Sequence, residues 1–191
     1  AGEVDDQPRA VVPHEKGVVV DGEATRSWRV SFDKPWKLIR PSDGKEFPSN
    51  DFEAFLKSGC KDRSLLTGEF PDDGWGYQPR GENRKIWFVA HYAHDLARFH
   101  LLPALRDLSR AYLITDDARY AHACALLLWQ MAEYYPDYFY EKQSRRGKEF
   151  NADYRGRLLN RIWEAHMVGA VAPPAYDAVR PAIDTDEVLM K

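Results

Sequence analysis

The sequence has few cysteines, no long apolar run and no large excess of charge, and each shortage excludes a class of protein. Two cysteines, Cys60 and Cys124, in 191 residues make a disulfide framework improbable. No apolar run approaches the ~20 residues of a membrane-spanning helix, so we expect no membrane partner. The formal net charge of -3 gives no overall attraction for nucleic acid, and no nucleic-acid motif occurs.

Several catalytic motifs are also missing. The chain has no Gly-x-Ser-x-Gly sequence, no P-loop and no dinucleotide-binding fingerprint, so serine-hydrolase and nucleotide chemistry have no support and we predict no cofactor. His91, His94 and His100 invite a metal interpretation, but no Asp or Glu completes a familiar zinc spacing and Asp95 is expected to point elsewhere. We therefore predict no metal site and expect these histidines to bind neighbouring groups, although His94 can still reach a ligand from the helix end.

Helical periodicity fills the centre of the chain. Apolar side chains recur at helical spacing from Ile86 onwards and again from Tyr120 to Tyr135 on two adjacent stripes. Pro103 is expected to kink or restart the first helix, and Pro136 to end the second. The sequence Thr115-Asp116-Asp117 predicts a turn and a helix N-cap between them. Helices that are apolar on more than one face need neighbours on several sides.

The flanking segments complete the predicted organisation. Residues 1–50 read as an irregular N-terminal arm with short β-strands at Gly17–Val20 and Ser27–Phe32 and no core of its own. Residues 51–191 read as a mainly α array of antiparallel helical hairpins, and Asn50, with Glu53 three residues on, is a candidate cap for its first helix. Two further helices are predicted at Tyr154–Ala172 and, after Pro173-Pro174, at Ala175–Ile183.

Two segments are candidates for ligand contact. In the loop Pro71–Asn83, Trp75 and Tyr77 stand beside glycines and can present flat faces to sugar rings, or else fasten the loop to the helices. The segment Lys142–Arg161 is strongly basic, which suits an anionic polymer, although a solvated loop and helix end is the plainer interpretation. Asp72 and Asp73 could be read as paired carboxylates for glycoside hydrolysis, but a role as a helix or turn cap explains them at least as well.

The order of these motifs resembles a known family. The run GWGY, the run WFVAHYAHDLARFHLLPALRDLSRAYLITDDARYAHACALLLWQMAEYYPDY, and the later YRGR, IWE and AYDAV resemble the N-terminal helical region of heparinase II/III-type polysaccharide lyases, alginate lyase relatives included. The resemblance covers about residues 47–183, and FPSNDFEAFLKSG fits the same lead-in.

The resemblance implies an incomplete α/α toroid followed by a β-sandwich, and β-elimination at a uronic acid. In that reaction a base removes the proton alpha to the carboxylate, an acid protonates the leaving oxygen, and a further side chain neutralises the sugar carboxylate. The implied partner is an acidic polysaccharide, and the implied location is secreted or periplasmic. The substrate contacts expected in this chain are Trp75, Tyr77, His94, Tyr154, Arg155 and Arg157.

The catalytic residues are expected beyond Lys191, because the family's Asn-His pair occurs nowhere in this chain. We therefore expect a fragment of a longer lyase, partnered by the remainder of the parent enzyme or by itself through uncovered helix faces. Two alternatives stay open: a non-catalytic helical carbohydrate-binding or scaffold protein, and a glycoside hydrolase of the α/α-toroid type.

Overall fold

The computed structural model describes residues 19–82, 85–137, 157, 164–166 and 168–186. Over these residues the chain is mainly helical, with short antiparallel strands near its N-terminus. The predicted fold class is therefore confirmed at that level, whereas the closure of the helices into a toroid stays a prediction.

Five short strands lie between residue 19, where the described part of the chain begins, and the first α-helix. They are β1 Val19–Val20, β2 Glu23–Ala24, β3 Arg29–Val30, β4 Leu38–Ile39 and β5 Glu46–Phe47. Strands β1 and β2 form an antiparallel pair, and β3, β4 and β5 form a separate antiparallel sheet in that order. Arg29 lies opposite Ile39, and Leu38 opposite Phe47. Each of the two predicted β-runs contains one of these strands.

The α-helices follow the strands along the chain. Their bounds are α1 Phe52–Lys57, α2 Phe88–Leu96, a π-helical turn Ala97–Leu101, α3 Leu102–Thr115, α4 Ala118–Tyr134 and α5 Ala172–Ile183. Short 3-10 turns occur at Thr25–Ser27, Arg63–Leu65 and Tyr135–Asp137.

The helix ends show where local signals were sufficient. Asp117 caps α4 by accepting a hydrogen bond from the Arg119 amide at 3.0 Å, and Asp116 has the left-handed conformation at φ 54°, so the predicted turn is confirmed. Helix α1 is capped by Asp51, whose carboxylate accepts from the Ala54 amide at 2.9 Å. The prediction of Asn50 as this cap is wrong.

Proline positions follow from the missing amide hydrogen. Pro103 lies in the first turn of α3, directly after the π-helical turn, where a residue without N–H cannot continue the regular hydrogen-bond ladder. The helical run changes from π-helical to α-helical hydrogen bonding just before Pro103, and the expected kink or restart of the helix at this residue stays a prediction. Pro173 and Pro174 lie inside the first turn of α5, not before it, because first-turn amides have no intrahelical acceptor. The predicted start at Ala175 is therefore three residues late.

One hydrophobic cluster joins the strands to α2. Trp28 packs on Phe47 with ring centroids 4.4 Å apart and stacks on Phe88 at 6.1 Å, and Leu38 and Tyr92 belong to the same cluster. Side chains from both sides of residue 50 thus share one core. The division of the chain into an arm and a helical part at that residue stays a prediction.

A second cluster lies between α3, α4 and α5, which pack on one another. Its buried members are Ala97, Leu102, Leu105, Ala121, Cys124, Ala175 and Val179. Cys124 is a free thiol that contacts the Leu105 carbonyl at 3.7 Å, and Cys60 is free and exposed. Burial raises the pKa of Cys124 to about 11. Within the described ranges no helix is long and apolar enough to cross a membrane.

Candidate functional site: the aromatic loop

The loop of residues 71–82, which we call the aromatic loop, is organised by a buried carboxylate. Asp72 is 1% exposed. One of its oxygens accepts the amide hydrogens of Gly74 at 2.8 Å and Gly76 at 3.0 Å, and the other accepts that of Val89 at 3.1 Å. Burial raises the pKa of Asp72, and the backbone donors oppose this rise because they stabilise the charged form. Asp72 therefore has the cap role expected for it.

Asn50 fixes the start of the loop. Its side-chain oxygen accepts the Asp72 amide hydrogen at 2.8 Å, and its side-chain nitrogen donates to the Asp72 carbonyl at 3.1 Å. Both residues are buried, so each backbone polar group of Asp72 has a partner inside the molecule. The side-chain amide of Asn50 is occupied by these two bonds, and the cap of α1 is Asp51.

Trp75 stands on the rim of this loop. Its side chain is 66% exposed, yet both polar groups of its backbone are bound. The amide donates to an oxygen of Asp73 at 2.9 Å, and the carbonyl accepts from the Lys85 ammonium at 2.8 Å. Arg63 binds the other Asp73 oxygen at 2.9 Å. The indole is thus exposed to solvent, and hydrogen bonds hold the Trp75 backbone at both its amide and its carbonyl.

Tyr77 has a different position. Its amide and carbonyl pair with those of Ile86 at 2.8 and 2.7 Å, and its half-buried ring packs on Phe70 at 5.4 Å and on Phe88 at 6.4 Å between centroids. This geometry fastens the loop to the first hydrophobic cluster. Of the two aromatic residues considered for sugar contact, Trp75 has the exposed face.

The histidines of α2 lie inside the protein. His94, expected at the helix end, is 4% exposed and lies within α2. The His91 imidazole contacts Asp95 at 3.1 Å, and both side chains are buried. The expectation that Asp95 points elsewhere is wrong, because residues four apart share a helix face. Among the described residues, no group of three His, Cys, Asp or Glu side chains is placed to hold a metal ion.

Arg157 contacts the turn that follows α4. Its guanidinium donates to the Pro136 carbonyl, and its amide donates to the Glu164 carboxylate at 2.7 Å. The Tyr135 hydroxyl donates to the same carboxylate, and burial together with that bond raises the pKa of Tyr135 to about 12. Arg157 thus ties the end of α4 to Glu164. Tyr154 and Arg155, the other predicted contacts in the basic segment, lie outside the described residues.

Of the predicted contacts, the structure brings Trp75 and Tyr77 together in one loop. Comparisons with models of protein families, with curated proteins and with solved structures found no match. The functional argument therefore starts from the aromatic loop. Lys85, three residues beyond this loop, was not predicted as a contact because the segment Lys142–Arg161 is the denser cluster of cations in the sequence.

Proposed function

We propose that this chain is the N-terminal helical part of a polysaccharide lyase that cleaves a uronic-acid polysaccharide by β-elimination. In this proposal the helices form part of an incomplete α/α toroid, and the aromatic loop contacts the polymer. The support is the order of the family-like motifs in the sequence together with the geometry of Trp75.

The exposed indole of Trp75, on a backbone held by hydrogen bonds, carries the proposal. A sugar ring presents C–H groups on its faces and hydroxyls at its edge, which suits an indole with an apolar face and one N–H donor. Binding is weakened when a ligand must first order the surface that it contacts. The Trp75 amide donates to Asp73 and the Trp75 carbonyl accepts from Lys85, so the backbone that carries the indole is already restrained before a sugar arrives.

The proposal gives this chain the task of holding the polymer. Proton removal beside the uronate carboxylate, protonation of the leaving oxygen and neutralisation of the carboxylate are steps of the parent enzyme. Exposed apolar side chains of α3 and α4 support contact with the rest of such an enzyme: Ile114 is 83% exposed, Trp129 63% and Leu126 40%. Leu126 and Trp129 lie three residues apart on α4, and adjacent exposed apolar groups are typical of a surface that another element covers.

A binding experiment tests the role of the loop. The Trp75→Ala variant should bind alginate or heparan sulfate about tenfold more weakly than the unaltered chain, a loss of about 1.4 kcal/mol. Trp129→Ala is the matched control, because Trp129 is similarly exposed but lies on α4. Isothermal titration calorimetry measures both. Equal affinity of the Trp75→Ala variant and the unaltered chain would contradict the proposal.

A second experiment tests the reaction. A parent lyase should release unsaturated uronate from the same polymers, detected by the ultraviolet absorbance of the new double bond. Release of saturated sugars alone would favour the α/α-toroid glycoside hydrolase instead. Retained binding with no cleavage product would favour the non-catalytic carbohydrate-binding protein.

A further inference from the structure

We propose that Lys85 and Trp75 together form a carboxylate-binding subsite, which makes the aromatic loop selective for uronic acids over neutral sugars. This inference rests on the proposed function, since it specifies the ligand of the same loop. It places the anion contact beside Trp75, in addition to any contact made by the basic segment Lys142–Arg161.

The position of the Lys85 ammonium is defined by two contacts. It donates to the Trp75 carbonyl at 2.8 Å, and it lies 5.4 Å from the centre of the Trp87 ring, within the range of a cation–π contact. The side chain is exposed, so solvent and ligands can reach it. These two contacts therefore keep the positive charge of Lys85 beside the backbone of Trp75.

The ammonium retains donor capacity in this position. An ammonium group carries three N–H donors, and within the described ranges Lys85 donates a single hydrogen bond, to Trp75. A carboxylate can accept from the others while the Trp75 carbonyl keeps its bond. The loop carboxylate nearest to Trp75, that of Asp73, already has the Arg63 guanidinium 2.9 Å away, which offsets its charge.

Uronic acid is the sugar class that fits both groups. The ammonium binds the carbonyl of the residue that carries the indole, so the subsite assigns to it one substituent of a pyranose that stacks on that indole. A carboxylate there forms a charge-assisted hydrogen bond, which is stronger than the bond of a neutral hydroxyl. A neutral sugar retains the stacking contact and loses the charged one. The subsite therefore adds selectivity to the affinity that Trp75 supplies.

Paired ligands test this selectivity. The probes are a polyuronate, such as alginate, and the same polymer with its carboxyl groups reduced to neutral alcohols. Lys85→Gln should bind the polyuronate about tenfold more weakly and the reduced polymer equally well. Lys85→Arg should recover part of the lost affinity, because it keeps the charge. Lys57→Gln removes one positive charge from an exposed lysine paired with Glu53 on α1 and should change neither affinity.

The outcomes separate the inference from the proposed function. If Lys85→Gln binds polyuronate as the unaltered chain does while Trp75→Ala loses affinity, the carboxylate subsite is excluded and the sugar-binding loop stands. If Lys85→Gln weakens both polymers equally, Lys85 acts only by holding the Trp75 backbone and the selectivity is excluded. If Trp75→Ala also leaves both affinities unchanged, the proposed function fails. Thermal unfolding of each variant confirms that it is folded.

Discussion

Gly76 shows at the scale of a single residue how closely the aromatic loop is packed. Its φ of 83° is in the left-handed region, and a Cβ added there would lie 3.1 Å from two ring atoms of Trp87 and 3.2 Å from the Ile86 carbonyl oxygen. We expect Gly76→Ala to lower the free energy of unfolding by about 1–3 kcal/mol. It should also weaken polysaccharide binding, because Trp75 is the preceding residue. Urea denaturation followed by tryptophan fluorescence measures the first effect.

Gly81 supplies the control for this substitution. Its φ is 82°, nearly that of Gly76, but an added Cβ would meet nothing within 4 Å. Gly81→Ala therefore introduces the backbone strain without the contact with Trp87, and it should cost about 1–2 kcal/mol. A Gly76→Ala variant no less stable than Gly81→Ala would show that the contact with Trp87 and Ile86 has no energetic weight.

Asp43 makes one contribution to stability depend on pH. Arg40 is largely buried and donates to both Asp43 oxygens, at 2.9 and 2.6 Å, and also to Asp21 at 2.9 Å. The Arg40 hydrogen bonds, with the Lys45 amide, lower the pKa of Asp43 from 3.8 to about 2. Since the folded-state pKa is depressed, the charged carboxylate stabilises the fold above the ordinary pKa, and this contribution disappears as the pH falls through the folded value.

The Asp43→Asn variant isolates this contribution. The unaltered chain should be more stable than the variant at neutral pH, and the difference should shrink as the pH falls from about 4 towards about 2. Denaturant unfolding at a series of pH values measures it for both proteins. Other carboxylates titrate in both chains and cancel in the comparison. A difference that stays constant across this range would contradict the prediction.

At the scale of elements, the start of α2 depends on a residue outside the helix. Trp87 precedes α2 without a side-chain cap, and Asp72 supplies the acceptor for the Val89 amide. In Asp72→Asn one acceptor oxygen becomes a donor nitrogen, which leaves a buried polar group unsatisfied and should cost about 1–3 kcal/mol. The Val89 amide should exchange with deuterium faster than in the unaltered chain.

Asp73→Asn is the neighbouring control. This substitution weakens the ion pair with Arg63, which is 68% exposed, and leaves the Asp72 hydrogen bonds in place. We expect it to change stability by less than about 1 kcal/mol and to leave Val89 exchange unaltered. Equal exchange rates in the two variants would show that Asp72 does not secure the first turn of α2.

Local patterns predicted those elements whose determinants are close in sequence. The turn Thr115–Asp117 and the end of α4 near Pro136 follow from residues within a few positions, and the structure confirms both. Asn50 and Asp51 are both good caps by residue type, so the sequence could not choose between them. The choice depends on Asp72, which lies 22 residues from Asn50 and occupies its side-chain amide.

In the candidate site, too, the sequence predicted features set by neighbouring residues and did not predict contacts between residues further apart. Gly74 and Gly76 around Trp75 indicated an aromatic loop, and Trp75 does present an exposed ring. The contact of Lys85 with Trp75 joins residues ten apart in an irregular loop, where no period relates side chains to one another. The His91–Asp95 contact, in contrast, spans four residues of a helix, so the helical spacing alone would have revealed it.

At the scale of the whole molecule, one helical run connects the two larger hydrophobic clusters of the described residues. Helix α2, the π-helical turn and α3 follow one another without a break from Phe88 to Thr115. Phe88 and Tyr92 belong to the cluster that contains the strands, and Leu102 and Leu105 to the cluster shared with α4 and α5. Helix formation is cooperative, so loss of either cluster destabilises the helical run Phe88–Thr115. Because this run contributes side chains to both clusters, the other cluster is weakened as well.

We therefore expect the two clusters to unfold as one unit. Phe47→Ala and Leu105→Ala each remove a buried side chain, 0% and 1% exposed, and should cost about 2–5 kcal/mol. Leu113→Ala is the control, because this side chain in α3 is 66% exposed, and it should change stability by less than about 0.5 kcal/mol.

Hydrogen–deuterium exchange of the slowest amides in β4, α2, α3 and α4 distinguishes one cooperative unit from two independently stable parts. For one cooperative unit, either core substitution accelerates exchange in both clusters by the same factor, since those amides exchange only through global unfolding. If Leu105→Ala accelerates exchange only in α3 and α4, the π-helical turn at Ala97–Leu101 separates two independently stable parts.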